Sequence, residues 1–156
     1  EDNGIITNVS TQEAAIIDQL KIDPNLTQTE KNRIVASRIG QGYFRRNLID
    51  DCGFCPITQV DDSRFLIASH IKPWRSSTNE ERLSVQNGFL FTPTYDKLFD
   101  NGYISFTNNK RIIISPFISN ANKHRFDLIE GNEYPLLPTA GREVFLEYHR
   151  VNILKT

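Results

Sequence analysis

The chain has 156 residues, enough to bury a core without disulfide or metal staples, and its 38% apolar and 24% charged content excludes a disordered chain. No apolar run approaches the roughly 20 residues that a helical membrane span needs. The net charge of −1 argues neither for nor against a polyanionic partner, but the charges are unevenly spread.

The opening Glu1-Asp2-Asn3-Gly4 is neither basic nor apolar, so no signal-peptide pattern is present. The first residue is not Met and the chain contains none. The expectation is a piece of a longer protein with a further N-terminal domain.

Ser10-x-x-Glu13 reads as a capping box opening a first helix, with Ala14, Ile16, Ile17 and Leu20 on its apolar face and Pro24 beyond its end. Thr27-x-x-Glu30 opens a second helix through Arg38, which Gly40 and Gly42 break. A third helix is expected from Tyr43 to Asp50, with Phe44 and Leu48 four apart on one face. Between Glu30 and Leu48, Lys31, Arg33, Arg38, Arg45 and Arg46 stand against the single acid Glu30. Such a stretch is either a solvated helix face or a set of phosphate contacts. Arg45 and Arg46 are adjacent, so a helix points them in different directions. Lys110, Arg111, Lys123 and Arg125 form a second acid-free stretch.

Cys52 and Cys55 form one C-x-x-C, which is half of a structural zinc site, a redox pair, or two reduced core thiols. Structural Zn²⁺ is not expected, and with no other cysteine the pattern fits a cytoplasmic protein. Phe65-Leu66-Ile67-Ala68 then reads as a strand ending at Ser69-His70. A polar loop with Pro73, Trp74 and Ser76-Ser77 closes near Asn87-Gly88, and Phe89-Leu90-Phe91 is a second strand. Thr92-Pro93 is an N-cap and first helical residue for a short helix to Phe99. Tyr103–Phe106 and Arg111–Ser115 form a hairpin turning at Asn108-Asn109. Residues 119–138 read as irregular, and a last helix is expected from Ala140 to Val151.

The central text is Ala68-Ser69-His70-Ile71-Lys72-Pro73-Trp74, then Asn87-Gly88-Phe89-Leu90-Phe91-Thr92-Pro93, then Asp96-Lys97-Leu98-Phe99-Asp100 and Gly102-Tyr103-Ile104-Ser105-Phe106. In this order the blocks resemble the HNH (ββα-metal, His-Me finger) endonuclease family. Arg38-Ile39-Gly40-Gln41-Gly42-Tyr43-Phe44-Arg45 and Cys55-Pro56-Ile57-Thr58 resemble the subgroup found in bacterial restriction-type nucleases.

The resemblance implies an α+β fold: N-terminal helices over about 10–50, a ββα-metal core over about 55–106, and a hairpin and C-terminal helix in an extension over about 107–156, all one nuclease domain. It implies His70 as the general base, Asn87 as the residue that braces the loop and orients that base, and Asp96 as the ligand of one Mg²⁺ or Mn²⁺ ion. A neutral imidazole suits the activation of water, and a carboxylate-held hard cation suits the phosphate and the leaving oxygen. Many family members carry Asp immediately before the catalytic His; this chain has Ser69. Its backbone, or the carboxylate of Asp100, would then be a further metal contact, and Asp100 equally fits a helix C-terminal turn. Lys72, Arg75, Arg45 and Lys97 are the candidate phosphate contacts. Trp74 is either a packed anchor of the loop or a base-stacking ring.

The expected activity is cleavage of double-stranded DNA to 5′-phosphate and 3′-hydroxyl ends, as the cutting domain of a restriction enzyme that is modification-dependent or not. Its sequence selectivity would come from an N-terminal recognition domain, and its double-strand breaks from a homodimer. The alternative is a non-catalytic nucleic-acid-binding module with a degenerate core.

Overall fold

A computed structural model describes residues 10–156; the Glu1–Gly4 opening lies outside the described residues. Helix α1 (Thr11–Ile22) starts where Ser10 Oγ accepts the Glu13 amide at 3.1 Å. The Glu13 carboxylate turns instead to Arg38, whose Nε lies 2.5 Å away. In α2 (Gln28–Arg38) both halves of the Thr27–Glu30 capping box are made. Gly40 and Gly42, at φ +66° and +68°, separate it from α3 (Gly42–Cys52), whose Phe44 and Leu48 are fully buried.

Strand β1 (Ile67–His70) begins at Ile67 rather than Phe65. Asp62 caps a single 3₁₀ turn at Ser63–Phe65, and that turn leaves Phe65 55% exposed. The polar loop that follows is also more ordered than expected. Thr78 and Glu81 form a third capping box, which opens a short helix α4 (Asn79–Leu83). Strand β2 (Gly88–Phe91) returns antiparallel to β1, setting Ile67 opposite Phe91 and His70 opposite Gly88. Helix α5 (Pro93–Asp100) follows with Pro93 in its first turn.

Strands β3 (Ile104–Phe106) and β4 (Ile112–Ile114) form the separate hairpin. The stretch read as irregular contains α6 (Asn120–Arg125), capped by Ser119. The last helix, α7 (Glu143–Asn152), starts later than Ala140 because Gly141 turns the chain at φ +77°. The fold is α+β, with helices packed on two small antiparallel sheets.

Phe89, Phe91, Phe99 and Phe106 meet at the centre of the main core, their ring centroids 5.3 to 6.1 Å apart. Two polar residues of the C-terminal extension are built into it. Arg142 donates to the carbonyls of Gly88 and Val85 and to Asp51. His149 lies flat on Phe99 with Nε2 2.8 Å from the Phe99 carbonyl and Nδ1 2.8 Å from Ser105 Oγ. Leu20, Ile34 and Trp74 form a second small cluster that fastens α1 and α2 to the loop. Among the described residues no helix is long and apolar enough to cross a membrane.

Candidate active site

His70 is the last residue of β1, and its ring lies on Phe44 of α3 with centroids 4.1 Å apart and planes within 4°. Its Nε2 is 2.9 Å from the carbonyl oxygen of Arg82. A carbonyl only accepts, so Nε2 carries the proton and Nδ1 keeps its lone pair. Burial pushes the imidazole down to about 4, outweighing the Arg82 carbonyl bond, so the ring is neutral at physiological pH. Among the described residues no buried side-chain nitrogen or oxygen lacks a hydrogen-bond partner. Nδ1 has no partner among the described residues and therefore reaches the surface of the cavity that His70 lines.

That cavity, about 350 Å³, lies between the C-terminal end of α2, β1, the turn after it and α5. Asp96, in the first turn of α5, and Asp100, at the end of that helix, both line it. Burial raises the Asp96 carboxyl to about 6; the Ser69 hydrogen bond and Lys97 draw it down, and Asp100 pushes it up. Desolvation raises Asp100 as well, opposed by Arg75 and Lys97 and reinforced by Glu13. Ser69 thus meets the site through its side chain, on Asp96.

Asn87 is fully buried beneath the loop rather than on the cavity wall. Its Oδ1 accepts the Lys72 amide at 2.8 Å, and Nδ2 lies 3.2 to 3.3 Å from the Lys72 carbonyl, Ser77 Oγ and the Glu81 carbonyl. It ties both ends of the loop together one residue before the carbonyl that holds His70.

The candidate phosphate contacts divide. Arg75 is exposed and lines the cavity, and Lys97 is exposed on α5 close enough to act on both aspartates. Lys72 is paired with Glu81 at 3.0 Å and stands over the Tyr148 ring. Arg45 donates to the carbonyls of Leu66 and Ser63, bracing the approach to β1. Trp74 is buried, with Nε1 donating to the Ile34 carbonyl and Ser37 Oγ. Cys55 is buried near Thr92, and burial pushes the Cys52 thiol up to about 11 beside Asp51 and Arg142.

Three features here escaped the sequence reading. The Phe44 ring and the Arg82 carbonyl carry no local signal, because a ring stack and a main-chain acceptor depend on where the chain returns. Glu13, which also lines the cavity, lies in a helix remote in sequence from the central motif, and meets there the Arg38 that the basic stretch singles out.

Asp96, Asp100 and Glu13 stand against Arg38 and Arg75 on the cavity wall, leaving carboxylates in excess beside a neutral histidine. Carboxylate oxygens are hard donors that fit a divalent cation, and a bound cation would offset the desolvation that raises Asp96 and Asp100. Among the described residues no three His, Cys, Asp or Glu side chains are grouped to hold a metal. Asp96 and Asp100 would supply carboxylate oxygens to such an ion, and water could complete its shell, as it does for Mg²⁺.

No curated protein matches the chain. Residues 55–107 match the HNH endonuclease family. That segment holds β1, the loop, β2 and α5, and over it the chain is similar to HNH endonucleases.

Proposed function

We propose that the domain is a metal-dependent endonuclease that hydrolyses phosphodiester bonds in double-stranded DNA. One observation carries the reading: a neutral His70, its Nε2–H fixed on the Arg82 carbonyl, offers Nδ1 to the cavity that holds Asp96. In this reading Nδ1 takes the proton of the attacking water, and the Arg82 carbonyl stabilises the imidazolium that forms. Asn87 holds the loop so that this carbonyl keeps its place. Arg75 and Lys97 bind DNA phosphates, which fixes position without reading sequence. Mg²⁺ or Mn²⁺ held by Asp96, with Asp100 as the second acid on the wall, supplies Lewis-acid polarisation of the phosphate and neutralises the departing 3′ oxygen. The products are 5′-phosphate and 3′-hydroxyl ends.

The role that follows is the cutting domain of a restriction enzyme acting in the cytoplasm, with sequence or modified-base selectivity supplied by another domain and a dimer making both nicks. A second reading, DNA binding without catalysis, draws on Ser69 in place of an aspartate and on the lack of a three-ligand cluster among the described residues. Plasmid cleavage by wild type and His70→Ala, with Mg²⁺, Mn²⁺ or EDTA, on modified and unmodified DNA, separates the two. Metal-dependent nicking that vanishes in the variant supports the nuclease. Binding without nicking in either metal supports the second reading.

A further inference from the structure

Arg38 is the last residue of α2, and its place beside the site is fixed by the turn that follows. At Gly40, φ is +66°, and a Cβ there would lie 2.4 Å from the carbonyl oxygen of Ala68. Only a glycine lets this turn press onto the backbone of β1, two residues before His70. The contact sets Arg38 on the wall of the cavity that His70, Asp96 and Asp100 line. There its Nε meets the carboxylate of Glu13 from α1 at 2.5 Å, with side chains 11% and 15% exposed. Glu13 reaches in from a helix with a single buried residue, Leu20.

We propose that Arg38 grips the scissile phosphodiester, and that Glu13 occupies its guanidinium as a substrate mimic until DNA displaces it; this rests on the nuclease reading above. A guanidinium fork binds carboxylate and phosphate oxygens in the same way, so one can replace the other. Charge favours the exchange. Arg38 and Arg75 face three carboxylates on the cavity wall, and that excess of negative charge, which Lys97 offsets only from the exposed side of α5, opposes an incoming phosphate. Once Glu13 is displaced the balance evens, and a divalent cation at Asp96 turns it positive. The pair thus keeps the empty site unattractive to stray anions and opens it to a ligand that also brings a long phosphate backbone.

The test uses the full chain with Glu13→Gln, Arg38→Ala and Arg38→Lys. Binding of a short duplex is followed by fluorescence anisotropy over a salt series in Mg²⁺, in a His70→Ala background, and cleavage kinetics are read without that change. Glutamine still accepts a hydrogen bond from Arg38, so Glu13→Gln keeps α1 in place while removing the charge. It is expected to tighten duplex binding severalfold. Arg38→Ala is expected to weaken it by about tenfold or more and to lower the slope of log K against log salt by about 0.9. Arg38→Lys should keep the slope and lose part of the affinity. If Glu13→Gln and Arg38→Ala change only the melting temperature, leaving affinity, KM and salt slope as in wild type, the pair is a structural tie and the proposal fails while the nuclease reading stands. Weaker binding by Glu13→Gln overturns the mimic role as well. A wild type that neither binds nor cuts duplex in Mg²⁺ or Mn²⁺ overturns the nuclease reading and this proposal with it.

Discussion

The His70 imidazole and the Phe44 ring lie parallel at 4.1 Å, so a helix that precedes the central motif forms the floor under its histidine. The stack fixes the ring plane and excludes water from one face, which is part of the burial that holds His70 near 4. Phe44→Leu keeps an apolar side chain but loses the flat surface. The expected result is a His70 titration midpoint raised toward 6.5, followed by NMR of the ring protons, together with a fall in cleavage rate at unchanged DNA affinity. An unmoved midpoint would show that the loop alone sets the environment of His70.

Asn87→Ala removes the side-chain bonds that Asn87 makes to both ends of the loop and leaves the buried Lys72 amide without its partner. Unfolding in urea should show a loss of about 2–4 kcal/mol, since each buried polar group left unpaired costs about 1–3 kcal/mol. Asn87→Asp keeps the acceptor for the Lys72 amide but points a carboxylate at the Lys72 and Glu81 carbonyls and Ser77. It should be no better than alanine. A fully stable alanine variant would remove Asn87 from its place as the brace.

Asp96 has a carboxyl near 3.8 when unfolded and about 6 in the fold. Between those values the folded state binds more protons, so its contribution to stability is present at low pH and lost as pH rises through 6. Asp96→Asn carries no charge to desolvate. Without metal it should be more stable than wild type near neutral pH by about 1–3 kcal/mol, and the gain should shrink at pH 5. Mg²⁺ should raise the melting temperature of wild type alone. A destabilised Asp96→Asn protein would mean that the carboxylate is structural.

His70 and His149 give the opposite sign. Both are held near 4 in the fold against about 6.5 unfolded, so the unfolded chain binds more protons between these values. Their stabilisation is complete above 6.5 and is lost as pH falls through 4, at a cost of ~3 kcal/mol for each by the acid end. Measured in the Asp96→Asn background, where the opposing carboxylate is gone, the urea midpoint should fall between pH 6.5 and 4. NMR should show both rings still neutral at pH 5.5. A ring that titrates near 6.5 has lost its burial.

Short-range rules placed most of the elements. The capping box at Thr27, Pro93 after Thr92 and the glycines at 40 and 42 act within a turn of the chain, so these helix starts and breaks could be read from neighbouring residues. Where the expectation slipped, either a local cap went unread, as at Thr78 and Ser119, or a distant partner decided. Phe65 looks like a strand residue by composition, yet Asp62 caps a turn there and the strand starts only where β2 comes alongside. Lys72 and Arg45 read as free cations near the motif, and only the fold brings Glu81 to one and two carbonyls to the other.

The two buried histidines mark the boundary most clearly. In the sequence the ordered blocks around His70 set it apart, whereas His149 sits in no such block. In the fold they resemble each other: each lies flat on a phenylalanine, each has Nε2 on a carbonyl, and each is held neutral by burial. Tertiary structure decides what each can do. Ser105, 44 residues away, occupies Nδ1 of His149, whereas Nδ1 of His70 opens onto a cavity of carboxylates. A ring nitrogen is available for chemistry only when no neighbour satisfies it, and that depends on partners that local sequence cannot name.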